Sequence, residues 1–104
     1  MEEAKRKKLE DNGWTVGTVA DFLNLTPEET TLMEIKLALS RCLKARRQKS
    51  MTQTELADKL HSSQPRVAKA ENGDASVSIE LLIRAMLATG ATPQEIGHVI
   101  AQVG

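Results

Sequence analysis

Apolar residues recur at helical spacing in five successive segments of this chain, and each of those segments opens on a residue able to cap a helix. Thr26-Pro27-Glu28-Glu29 joins a capping hydroxyl, a proline at the first helical position and a glutamate three residues after the cap. It predicts a long helix reaching about Gln48, along which Leu32, Ile35, Leu39, Cys42 and Leu43 form one stripe that Arg46 continues. Met33 and Leu37 lie on a different face. Thr52-Gln53-Thr54-Glu55 is a second capping box, opening a short helix in which Leu56, Ala57 and Leu60 share a side. Ser63 caps a third helix from Gln64 to about Asn72, where Gly73 supplies a left-handed stop. Ser78 opens a fourth, stopped by Gly90, and Thr92-Pro93-Gln94-Glu95 is a third capping box before an inward stripe of Ile96, Val99, Ile100 and Val103. Strand-like alternation is absent, although Trp14 to Val16 could be extended.

The fourth helix has two apolar faces. Ile79, Leu82, Ile83 and Met86 form one; Leu81, Ala85 and Ala88 form the other. Two faces need two partners: the chain's own core, and either the final helix or a second subunit. Upstream, residues 1–13 are polar, end at Asn12-Gly13 and read as a mobile arm. Trp14 to Leu25 reads as a short helix with Phe22 and Leu23 inward.

Composition narrows the function classes. Lys and Arg total 14 and Asp and Glu 14, yet residues 44–69 carry 7 basic against 2 acidic groups. That +5 block stands between flanks of net −2 and −3, and reads as an electrostatic footprint for a polyanion or as a solvated face. One cysteine, Cys42, excludes an internal disulfide, and with only His61 and His98 beside it no metal site is expected. No nucleophile motif surrounds Ser62-Ser63 or Cys42, so neither an enzyme nor a cofactor is expected. No apolar run is long enough to cross a bilayer and no secretory signal opens the chain, so a cytoplasmic protein without a membrane role is expected. Trp14 and Phe22 are the only aromatics, which argues against a base-stacking platform for single strands.

Two short helices joined by a tight turn, with basic residues around the junction, describe a helix-turn-helix that presents its second helix to the major groove of double-stranded DNA. At 100° per residue, Val67 and Ala70 face inward, while Gln64, Pro65, Ala68, Lys69 and Asn72 face outward. A long amide and an ammonium suit purine edges, and two small neighbours let the helix sit deep in the groove.

The stretch TQTELADKLHSSQPRVAKAENG, Thr52 to Gly73, resembles the signature of the XRE/Cro family related to the lambda-type repressors. The matching residues are Thr52-Gln53, Leu56-Ala57, Leu60, Ser63-Gln64, Val67 and Glu71-Asn72-Gly73. The resemblance implies an all-α fold: a five-helix, lambda-repressor-like core over 37–104 within a single domain 14–104, preceded by a helical N-terminal extension over 14–36. It assigns Gln64, Pro65, Ala68 and Lys69 to base contacts, and Gln53 and Ser63 to phosphates. It also implies a structural ion pair between Arg46 and Glu71. Arg66 and Thr52 are expected phosphate contacts beside Gln53 and Ser63, and Arg47 and Lys49 read either as phosphate contacts or as ordinary surface charge near a helix C-terminus. His61 stands where the family usually has a turn glycine, and Ser62 where an apolar residue usually plugs the turn.

The segment GWTVGTVADFLNLTPEE resembles the N-terminal extension of a subgroup that includes HigA-type antitoxins. That implies an autorepressor whose partner is a RelE-like or HigB-like toxin; a stand-alone repressor and a protein-interaction module are the alternatives. One helix-turn-helix touches few base pairs, so a homodimer is expected. Trp14, Phe22, Met33, Leu37 and Leu81 are the candidates for a partner or dimer surface, with the two aromatics covering Met33 and Leu37.

Overall fold

The computed structural model describes residues 25–103, and the arm, the short helix and the aromatic cluster expected before Leu25 lie outside them. Contacts divide the chain into two units, 1–34 and 35–104. In the first, the described residues are Leu25 to Glu34, which begin helix α1 (Pro27–Ser50). Its capping box forms as expected: Thr26 Oγ1 accepts from the Glu29 N–H at 3.1 Å, and the Glu29 carboxylate accepts from the Thr26 N–H at 3.1 Å. Leu32, the first residue of the stripe, is 49% exposed.

The second unit contains the rest of α1, then α2 (Gln53–Lys59), α3 (Gln64–Glu71), α4 (Ile79–Ala88) and α5 (Pro93–Ala101). The described residues therefore form five helices and no strand. Leu39 and Leu43 of α1, Leu56 of α2, and Leu82 and Met86 of α4 are the largest fully buried side chains. Each contributes about 1.5–3 kcal/mol relative to exposure. Helix α4 packs on both α2 and α5: Leu82 and Met86 of one apolar face and Leu81 and Ala85 of the other are buried, while Ile79, Ile83 and Ala88 are half-buried against the core. Leu81, expected on a partner surface, is 7% exposed and belongs to this core. Ser40 is also buried, and its hydroxyl has no hydrogen-bond partner among the described residues.

Three helices end in the same way. In α2, α3 and α4 the N–H two residues past the cap donates to the carbonyl of the third-last helical residue: Ser62 to Ala57 (2.9 Å), Asp74 to Lys69 (3.1 Å) and Ala91 to Met86 (3.1 Å). This closure needs a left-handed residue just before. Gly73 (φ 73°) and Gly90 (φ 94°) supply it without strain, whereas His61 supplies it at φ 53° with a side chain present. Ser62, beside His61, lines a hollow with Leu56, Leu60 and Val67 that is too narrow to admit water.

Candidate nucleic-acid interface

Helices α2 and α3 pack tightly on each other through the turn at residues 60–63, and Ser63 caps α3 by accepting from the Arg66 N–H at 3.4 Å. Val67, Ala70 and Glu71 are buried on the inner side of α3. Gln64, Pro65, Arg66, Lys69 and Asn72 are exposed and Ala68 is half-buried, which is the division read from the 100° spacing.

A polar chain runs from α1 to the start of that face. The Glu71 carboxylate, 1% exposed, receives a two-pronged grip from Arg47: Nε to Oε2 at 2.6 Å and Nη2 to Oε1 at 2.8 Å. Gln53 Nε2 donates to Glu71 Oε1 at 3.1 Å, and Gln64 Nε2 donates to Gln53 Oε1 at 2.5 Å. The direction of every amide in the series is set by its first member, because an ionised carboxylate only accepts. Gln53 must turn its nitrogen to Glu71 and its oxygen outward; Gln64 must then turn its nitrogen to Gln53. The Gln64 oxygen and its second N–H remain for a ligand. Burial pushes the Glu71 pKa up, but the hydrogen bonds from Arg47 and Gln53 and the charges of Arg47 and Lys44 outweigh it, holding the carboxyl below its ordinary value.

The ion pair expected between Arg46 and Glu71 is therefore corrected: Arg47 holds Glu71. Arg46 instead donates to Glu95 Oε2 at 2.6 Å and to Thr89 Oγ1 at 3.2 Å, tying α1 to the ends of α4 and α5. One residue of helix is a 100° rotation, enough to send neighbouring guanidinium groups to different elements. Arg47, expected on a phosphate, is committed elsewhere in this structure: two of its nitrogens hold Glu71, its side chain is 13% exposed, and its remaining nitrogen points at the Met51 carbonyl, 3.4 Å away. Arg46 also changes the third capping box. Thr92 Oγ1 accepts from the Glu95 N–H, but the Glu95 carboxylate turns to Arg46 and to the Thr92 hydroxyl.

The other expected phosphate contacts differ in what they have left to offer. Lys49 and Arg66 are exposed. Thr52 is committed to its own capping box with Glu55, and the Gln53 amide to Glu71 and Gln64. Of the basic block, Lys44, Lys49, Lys59, Arg66 and Lys69 are exposed and take part in no ion pair among the described residues. Lys44 was not among the residues singled out from sequence; its spacing three residues before Arg47 is the signal that places it near Glu71.

The far end of α3 is held by α1 as well. Leu37 Cδ2 lies 2.7 Å from where a Cβ on Gly73 would sit, and Lys36 Nζ donates to the Ala75 carbonyl at 3.0 Å. Leu37, expected on a partner surface with Met33, is thus engaged inside the chain. Met33 is half-buried in the first unit.

None of the helices among the described residues is long and apolar enough to cross a membrane. Comparison with curated proteins and with solved structures gives no match. The helix-turn-helix family HTH_3 matches residues 43–96, from Leu43 of α1 through α2, α3 and α4 to Ile96 of α5. With more than half its length in that match, and the tight turn, capped second helix and exposed basic residues inside it, the chain belongs to the XRE-type helix-turn-helix family of DNA-binding regulators.

Proposed function

We propose that the protein is a sequence-specific repressor that binds double-stranded DNA as a homodimer, inserting α3 into the major groove. The observation that carries this reading is Gln64, an exposed residue whose amide is oriented by Gln53, Glu71 and Arg47 on the same outer face as Pro65, Ala68 and Lys69. An amide held in one orientation presents an acceptor and a donor together, the pairing that suits the N6 and N7 edge of adenine. Lys49 and Arg66, with the hydroxyl of Ser63 at the α3 cap, supply phosphate contacts, and Lys44 adds to the field. A second copy supplies the second half-site, since one recognition helix covers only a few base pairs.

Mobility shift of the full chain on genomic fragments tests DNA binding. A complex at low salt that weakens steeply as salt rises, through counterion release, is expected. Absence of any complex at low salt would favour the interaction-module reading.

The biological role proposed within this function is that of an antitoxin repressing its own operon and neutralising a RelE-like or HigB-like toxin. It is supported by the resemblance of residues 13–29 to the extension of HigA-type antitoxins. A small basic open reading frame beside the gene is expected, and co-expression of the two products should relieve growth arrest; an isolated gene would point to a stand-alone repressor.

A further inference from the structure

Beside the oriented amide of Gln64, the outer face of α3 offers two groups with no polar side-chain atom. Pro65 is exposed at the start of the helix, and Ala68, half-buried, lies three residues on and so on the same side. Proline also lacks the backbone N–H that another residue would present in the first turn. We propose that Pro65 and Ala68 form an apolar seat for the C5-methyl group of a thymine, so that the preferred half-site carries a thymine beside the base pair that Gln64 hydrogen-bonds.

This inference rests on the reading of α3 as the recognition helix and adds the base to which its apolar part responds. Of the major-groove edges, thymine alone carries an apolar group; guanine, adenine and cytosine present ring nitrogens, carbonyls or amino groups there. A polar edge pressed against the proline ring would lose its water and gain no partner. A methyl group gains apolar contact. Selection for thymine thus comes from attraction to one base and from the penalty on the other three. The seat is also pre-organised: the pyrrolidine ring fixes its own backbone angle, and neither side chain has rotamer freedom to lose on contact. An ordinary helix-starting role for Pro65 would leave binding indifferent to a methyl group on the DNA, which separates the two explanations.

The test uses the full chain and a duplex selected from a randomised pool. Affinity for the Gln64→Ala variant locates the base pair read by the amide, and each thymine on both strands is then replaced singly by uracil, which removes only the methyl group. At a thymine adjacent to that pair, uracil is expected to weaken binding by roughly three- to tenfold, the scale of one lost apolar methyl contact. The Pro65→Ser variant is expected to bind the thymine and uracil duplexes within about twofold of each other. Uracil tolerated within about twofold at every thymine of a duplex that is still strongly preferred over random DNA would overturn the methyl seat and leave base reading by Gln64 standing. A thymine preference undiminished in Pro65→Ser would overturn the assignment to Pro65. Failure of the pool to enrich any duplex would refute the base-reading function and this inference with it.

Discussion

The two ends of α3 are built to the same local plan and anchored to different degrees. Helix α2 closes just before the N-terminal end of α3, and α3 itself closes at its C-terminal end, each on a left-handed residue with the same pair of backbone hydrogen bonds. At the C-terminal end that residue is Gly73, Leu37 of α1 covers it, Lys36 grips the following loop, and Arg47 clamps Glu71 in the last turn. At the N-terminal end it is His61, exposed, next to a serine that lines an unfilled hollow. The end that is locked sets where the helix points; the end with a single cap and one amide pair presents Gln64 and Pro65. Most of the anchoring lies in the last turn of these eight residues and Gln64 and Pro65 in the first, with Lys69, on the same outer face, the reading residue nearest the clamp.

Breaking the locked end should have the largest effect. Arg47→Ala leaves the Glu71 carboxylate buried without its cation and is expected to cost about 3–5 kcal/mol in chemical denaturation. The same pair makes stability pH-dependent. The pKa of Glu71 is lowered on folding from its ordinary 4.5, so its contribution is fully present above that value and is lost as pH falls through the lower folded value. Acid unfolding followed by circular dichroism should show this loss below about pH 4.5, and Glu71→Gln should flatten that part of the curve.

Next in size is the glycine turn. Gly73→Ala meets both a left-handed backbone, about 1–2 kcal/mol, and the Leu37 methyl, whereas Gly90→Ala meets the backbone cost alone because no described residue lies within 4 Å of where its Cβ would sit. Thermal melts should rank Gly73→Ala as the more damaging, and adding Leu37→Ala should bring the two penalties closer. Equal penalties at the two glycines would remove the argument that α1 presses on the recognition helix. The smallest effect belongs to the loose end: His61→Gly should stabilise the fold by about 0.5–1 kcal/mol, the relief of strain less the added unfolded-state entropy.

Much of this was legible in the chain because its helix boundaries are written in local chemistry. Thr52, Ser63, Ser78 and Thr92 all cap where their hydroxyls predict, since capping depends on residues a single turn apart. What the sequence left ambiguous depends on which element lies across from a side chain. Arg46 and Arg47 are chemically alike and adjacent, and only the packing of α1 against α3 and α5 decides that the second takes Glu71 and the first takes Glu95. Leu81 reads equally well as surface or core until α4 is found between α2 and α5. Hydrophobic periodicity says that a face is apolar but not what covers it.

The central claim, that the exposed face of α3 reads base sequence while separate cations hold the phosphates, is tested most directly by one ratio: affinity for the selected duplex over affinity for random duplex, at fixed salt. For Gln64→Ala the account predicts a fall in this ratio worth about 1–3 kcal/mol with random-duplex binding nearly unchanged, and for Lys49→Ala a weakening of both duplexes alike with the ratio preserved. Equal weakening of both duplexes by Gln64→Ala would contradict it.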